Sequence, residues 1–310
     1  MNKYLIYLFC GVLAFIPALI WLIIWYKKDS EQPEPKKMIL ESFYLGCLSV
    51  MPFFGIKYAM NQADDLQDLW YEFAKNTLYL SQVILILLLA FLEESIKHFA
   101  VLRLGKSLKI EFDQIVDGVI YSVSCALGFA FMENIIYFAN NFYGEINASF
   151  LYLFAFRSLG TMLGHAIFSG IFGLFWGFAF LSMSITNKHN FSVSNIWHKL
   201  TDTLRLHIIR DHVLRGRSST KGHEKGDLVR EALIVATLLH GLFNIFVSFE
   251  IMGKSLTFMV VPLLMGGFVF LSHSFLQKKN LKIWKKAIGF FKEILRKFSQ
   301  GLRQTTKLKA

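Results

Sequence analysis

Long apolar runs recur along the chain and are separated by shorter polar connections. A transmembrane helix needs about 20 consecutive, mostly apolar residues, and each of these runs reaches that length. The runs span approximately residues 4–26, 38–60, 77–102, 115–140, 150–184, 229–250 and 255–276. The pattern predicts an all-α fold, a polytopic transmembrane helical bundle of about seven spans. The fifth run is longer than one perpendicular crossing needs, so we expect it to tilt, bend or re-enter.

Basic residues alternate between the two sides of the predicted spans. The connections 27–37 and 103–109 are basic, whereas 61–76 is acidic and 141–149 has no lysine or arginine. The long connection 185–228 carries eight basic residues. Because basic connections stay in the cytoplasm, this alternation predicts an outside N-terminus and a cytoplasmic C-terminus.

The C-terminal segment 277–310 differs from the rest of the chain. Apolar residues recur at helical spacing between Ile283 and Leu302, and lysines and arginines occupy most of the remaining positions. Such a helix is suited to lie on an anionic lipid surface. The sequence therefore predicts two parts: a transmembrane domain over 1–276, with a cytoplasmic loop at 185–228, and a basic amphipathic cytoplasmic helix in the tail 277–310.

Composition agrees with a membrane protein, since 54% of residues are hydrophobic and only 18% are charged. The net charge of +11 does not predict nucleic-acid binding, because the basic residues follow the membrane topology. The three cysteines lie far apart in apolar runs, so we expect neither a disulfide framework nor a thiolate zinc site.

Several ionisable and amide side chains lie inside the predicted spans, where each charge costs about 3 kcal/mol at mid-membrane. They form four clusters: Glu93-Glu94 with Lys97, Glu133-Asn134, Arg157 to His165 with Gly160 and Gly164 between them, and His240 with Asn244. Each cluster alone has an ordinary explanation, as a helix end or as a polar contact between helices. Alternating crossings and a rise of about 1.5 Å per residue place the clusters at similar depths. We therefore expect them to meet in one site.

Hydrolysis of a peptide bond inside a membrane requires a water, a base and donors for the oxyanion. Glu93 or Glu94 can be the base, and His165 can orient the water or carry the proton. His240 and Asn244 can donate to the oxyanion.

A zinc enzyme is the alternative mechanism. It would use some of the residues Glu94, Glu133, His165 and His240, since two histidines and a carboxylate are a usual zinc set. We favour hydrolysis without a cofactor, because His-x-x-x-Asn suits an oxyanion hole.

The four motifs together resemble the PrsW family of intramembrane proteases. They are Glu-Glu-x-x-Lys at 93–97, Phe-x-x-x-Glu-Asn at 129–134, His165 in a glycine-rich helix, and His-x-x-x-Asn at 240–244. The resemblance implies a bacterial plasma-membrane endopeptidase that cuts single-span membrane proteins, of which anti-sigma factors are the best-known class. It also implies kinship with the CaaX-processing and bacteriocin-processing proteases, which have a histidine where this chain has Glu133.

Two other functions are compatible with polar residues inside a bundle. They could line an ion or proton pathway in a transporter. The absence of an internal sequence repeat argues against that function. A catalytically inactive scaffold that binds other membrane helices is the second alternative, although the candidate catalytic residues are all present.

Overall fold

The computed structural model describes residues 2–29, 33–62, 64–107, 114–185, 222–251 and 254–276. The tail 277–310 and most of the loop 185–228 lie outside these ranges, so their predicted roles stay predictions. The α-helices of the described part are α1 Lys3–Lys28, α2 Lys36–Gln62, α3 Asp64–Asn76, α4 Leu78–Ser107, α5 Ile115–Asn141, α6 Ala148–Ala155, α7 Met162–Ile185, α8 Gly222–Ser248 and α9 Val260–Leu276.

Six helical segments in these ranges are long and apolar enough to cross a membrane. They lie in α1, α2, α4, α5, α8 and the continuous stretch from α6 into α7. The apolar helical segment Thr257–His273 is shorter. The all-α membrane bundle is thus confirmed, while a seventh crossing by residues 255–276 stays a prediction.

A π-helical turn over Phe156–Thr161 joins α6 to α7. In this turn the Met162 N–H donates to the carbonyl of Arg157, five residues earlier. Trp21 of α1 donates its indole N–H to the carbonyl of Ser158 at 2.9 Å. The long fifth run therefore stays helical throughout residues 148–185 and accommodates its extra length with a wide turn.

Short elements connect the spans. The acidic connection between α2 and α4 contains the helix α3. After α8, the two-residue strands β1 Glu250–Ile251 and β2 Lys254–Ser255 pair antiparallel, with Glu250 opposite Ser255. A 3₁₀ turn over Thr257–Met259 then leads into α9.

Helix α5 is the centre of the bundle, because most of its side chains are buried between α7, α2 and α1. Its backbone lies against glycines of both main neighbours. A Cβ at Gly46 of α2 would collide with the Cys125 carbonyl, and one at Gly173 of α7 would collide with the Gly118 carbonyl. Glycine at these positions allows the close approach that brings the polar side chains of α5 and α7 together.

The first turn of α5 carries the acidic residue Asp117. Its side chain is fully buried by protein and accepts from the backbone N–H of Gln114 at 2.6 Å. Asp29 and Glu34 lie close to it. This acidic group is separate from the four motifs described above.

Candidate active site

Helix α4 places two adjacent carboxylates and a lysine inside the bundle. The Lys97 ammonium lies 2.6 Å from Oε1 of Glu94 and 3.1 Å from Oε1 of Glu93. All three side chains are buried. Because removing charges from water is costly, the two carboxylates depend on this shared cation.

His165 of α7 and His240 of α8 complete the cluster. His165 Nδ1 lies 3.2 Å from Oε1 of Glu93 and 3.1 Å from the Lys97 ammonium. His240 Nδ1 lies 2.8 Å from Oε1 of Glu94. The two imidazole rings are nearly perpendicular, with centroids 5.3 Å apart. The folded chain therefore brings side chains of these three motifs into contact.

Glu94 is held on both of its oxygens and has no exposed surface. Oε1 contacts Lys97 and His240, and Oε2 accepts from the Ser169 hydroxyl at 3.2 Å. Nε2 of His98 lies 3.5 Å from the same Oε2. Four neighbours fix the position of this carboxylate.

Glu93 has a different environment. Its contacts with Lys97 and with both histidines of the cluster run through Oε1. Among the described residues its Oε2 makes no hydrogen bond, and its side chain retains 7% exposure. Glu93 therefore keeps one oxygen available for a water molecule.

Glu133 lies beside this cluster, paired with Arg157 of the π turn. Its Oε2 accepts from the Arg157 guanidinium at 2.6 Å and lies 3.3 Å from His165 Nε2. Arg157 also donates from Nε to the Asn134 side-chain oxygen at 2.6 Å. Among the described residues, Glu133 thus contacts the site through the far nitrogen of His165.

Asn244 follows His240 by one helical turn and is half-buried. Among the residues that the structure describes, its side chain forms no hydrogen bond with the cluster. Its amide is accordingly free to meet another molecule at the edge of the site.

Sequence reasoning missed two members of the cluster, His98 and Ser169. Each lies four residues after a predicted site residue, His98 after Glu94 and Ser169 after His165. Side chains four residues apart share a helical face, so this spacing was the available signal. The His98 ring stacks on Phe172 with centroids 3.5 Å apart.

The cluster also has the composition of a metal site. One ligand atom from each of Glu93, Glu94, His165 and His240 lies within 4.8 Å of the others. Two imidazoles with carboxylates are a usual zinc-binding set, so these residues fit a zinc ion. The set differs from the one predicted from sequence, in that Glu93 stands in place of Glu133.

Comparisons with known proteins identify the family of the chain. Residues 34–204 match the family described as "PrsW family intramembrane metalloprotease". This range contains Glu93, Glu94, Glu133 and His165, whereas His240 lies beyond it. No solved structure matches the chain.

Curated relatives named Protease PrsW match between half and two thirds of this chain. The relative from Oceanobacillus iheyensis is 32% identical over 203 residues, which cover 66% of this chain and 81% of that protein. The Bacillus subtilis relative is 31% identical over 52% of this chain and 64% of its own length. The Geobacillus kaustophilus relative is 32% identical over 52% of this chain and 62% of its own length. The chain spans a little under two thirds of the latter two proteins. It is an integral membrane protein that belongs to the PrsW family of intramembrane proteases.

Proposed function

We propose that the protein is an endopeptidase that hydrolyses a peptide bond of single-span membrane proteins within the membrane. The observation that carries the proposal is the buried cluster of Glu93, Glu94, His165 and His240, which come from three helices of the bundle. Membership of the PrsW family supports the same activity. Anti-sigma-factor-like proteins are the substrate class that the sequence resemblance suggests.

Glu93 is the general base of the proposed reaction. Its free Oε2 accepts a proton from a water, whose oxygen attacks the scissile carbonyl carbon. The same proton then passes from Glu93 to the leaving amide nitrogen as the C–N bond breaks. His165 Nδ1 lies 3.2 Å from the other oxygen of Glu93 and 3.1 Å from Lys97, and its proposed role is to hold this base and its cation in place.

His240 and Asn244 are the proposed donors to the oxyanion. In its protonated form His240 donates Nδ1–H to Glu94 and has Nε2–H left for the substrate oxygen. The unengaged amide of Asn244, one turn away, is the second donor. Glu94 holds His240 in place and takes no proton in this scheme.

When bound, a zinc ion would polarise the scissile carbonyl and activate a water at neutral pH. Glu93, Glu94, His165 and His240 would hold it. We favour the mechanism without metal, because the Lys97 ammonium contacts three of these four side chains and already supplies a positive charge there.

Metal content distinguishes the two mechanisms. We expect the purified protein to contain far less than one zinc per chain and to keep its activity after treatment with 1,10-phenanthroline. Elemental analysis and a cleavage assay before and after chelation measure both quantities. One zinc per chain, lost together with activity and restored by added zinc, would establish the metalloprotease instead.

The alternation of basic connections supports a plasma-membrane protein with its N-terminus outside and its C-terminus in the cytoplasm. We propose that the tail 277–310 lies on the anionic lipid surface of the cytoplasmic leaflet. The proposed partners are thus the substrate and the lipid surface, with no nucleic acid.

A comparison of membrane proteomes tests the proposed activity. A bacterial host expresses either the wild-type chain or the double variant Glu93→Gln/Glu94→Gln, at equal levels in the membrane. New N-termini within or next to the spans of single-span proteins are expected only with the wild-type chain. Identical N-termini in the two strains, together with no cleavage of a panel of tagged single-span reporters, would contradict the protease function.

A further inference from the structure

The buried pair of Glu133 and Arg157 has no part in the hydrolysis proposed above, yet it touches a residue that does. Both side chains are about 10% exposed and their closest atoms lie 2.6 Å apart. Oε2 of Glu133 faces Arg157 on one side and Nε2 of His165 on the other. The pair therefore borders the site at the far nitrogen of His165.

The partners of His165 determine which of its nitrogens carries the proton. An ionised carboxylate only accepts hydrogen bonds and an ammonium group only donates them. Glu133 lies at Nε2 and Lys97 at Nδ1, at 3.3 Å and 3.1 Å. Both contacts are satisfied when Nε2–H donates to Glu133 and the Nδ1 lone pair accepts from Lys97, which also donates to Oε1 of Glu93.

Arg157 reaches Glu133 because of the π turn. In a regular helix, residues eight apart point about 80° away from each other, so Arg157 and His165 would not share one neighbour. The wide turn Phe156–Thr161 changes that angle, and both side chains contact the same carboxylate oxygen. Single π turns are frequent at functional sites.

Additional contacts hold the guanidinium in this position. Nε of Arg157 donates to Asn134, and the guanidinium lies over the Tyr137 ring at 3.8 Å from its centroid. The arginine thus neutralises Glu133 and fixes its orientation, without reaching His165 itself.

We propose that Glu133 is a positioning residue, held by Arg157, that keeps His165 in the Nε2–H tautomer, so that its Nδ1 lone pair accepts from Lys97 beside Glu93. The inference rests on the proposed protease function for its effect on rate, but the tautomer itself is measurable without a substrate. Carboxylates that orient metal-ligating histidines typically contribute 10–100-fold to activity, and we expect an effect of similar size here.

The first test is spectroscopic. Protein with ¹⁵N-labelled histidine is reconstituted in lipid, and the His165 signals are identified by their loss in His165→Gln. The wild-type chain is expected to show a protonated Nε2 and an unprotonated Nδ1. In Glu133→Met the acceptor is absent, so the Nε2–H tautomer should no longer dominate. An unchanged His165 spectrum in Glu133→Met overturns the proposal.

A second variant separates positioning from folding. Glu133→Met alone leaves the buried Arg157 without its anion, which is destabilising, whereas Glu133→Met/Arg157→Met removes both charges together. The double variant is expected to unfold at the wild-type temperature and still to lack the Nε2–H tautomer. Recovery of the wild-type His165 spectrum in the double variant would show that the pair is only structural.

The rate measurement uses a reporter cleaved by the wild-type chain. We expect kcat of the double variant to fall 10–100-fold with KM within about twofold, because Glu133 orients His165 and does not bind substrate. Glu145→Gln, an exposed carboxylate between α5 and α6, is the matched control and should match the wild type. Unchanged kcat with a changed tautomer would reject the catalytic part of the inference. Absence of cleavage by the wild-type chain would instead reject the protease function and leave the tautomer result standing.

Discussion

Glu93→Gln is expected to lower the rate of reporter cleavage by about 10²–10⁴-fold, the usual contribution of a general base. Glutamine is close to glutamate in size and can still accept from Lys97 through its amide oxygen. The glutamine amide group cannot take a proton from water as the carboxylate does. The variant should therefore remain folded and inserted while losing the reaction.

Glu94→Gln provides the comparison within the same pair. Glu94 is held by Lys97, His240 and Ser169, so its change should lower stability as well as activity. Cleavage rates and thermal unfolding in detergent are measured for both variants. Glu41→Gln, on the exposed face of α2, makes the same chemical change outside the site and should leave both quantities unchanged. If the Glu93→Gln protein cleaved normally, Glu93 would not be the base, and Glu94 or a metal-bound water would take that role.

Lys97→Met is expected to destabilise the fold by about 3–5 kcal/mol, the typical effect of removing one partner from a buried ion pair. Methionine fills much of the same space but leaves Glu93 and Glu94 adjacent, buried and without their cation. The exposed pair of Lys37 and Glu41 has the same i,i+4 spacing and a distance of 3.8 Å. Lys37→Met should cost no more than about 1 kcal/mol, because water screens that pair.

Free energies of unfolding in mixed micelles measure the difference between the two lysine variants. The triple variant Lys97→Met/Glu93→Gln/Glu94→Gln should regain most of the lost stability, since the uncompensated charges are gone, but no activity. Equal costs for Lys97→Met and Lys37→Met would show that Lys97 is not the cation on which the buried carboxylates depend.

Glu93 and Glu94 show which features of the site local sequence determines and which it leaves open. Adjacent residues on a helix point about 100° apart, so one of them was expected to face a cavity and the other a neighbouring helix. Ser169 and His240, which belong to other helices, decide which glutamate faces the cavity and which contacts a neighbouring helix. The choice of Glu93 as base therefore required the packed bundle.

Glu133 illustrates the opposite case. Its position inside a span marked it as functional, and zinc-ligand chemistry was a reasonable hypothesis from its residue type. The π turn, however, brings Arg157 onto this carboxylate. The sequence does not predict that turn. The fifth run is almost uniformly apolar, so it has no hydrophobic periodicity from which the local helical pitch could be read.

The lengths of the apolar runs and the placement of lysines and arginines were enough to predict a helical membrane protein, because lipid requires each span to satisfy its own backbone hydrogen bonds. The motifs of the site were also recognisable in the sequence, as polar residues inside those runs. Similar depth even predicted that Glu94, His165 and His240 would meet. The distribution of contacts within the cluster emerged only in the folded chain: Lys97 between two carboxylates, Glu93 with a free oxygen, and Glu133 behind His165. These contacts depend on how each helix is rotated and on its local pitch. Close packing at glycines and the π turn Phe156–Thr161 determine both.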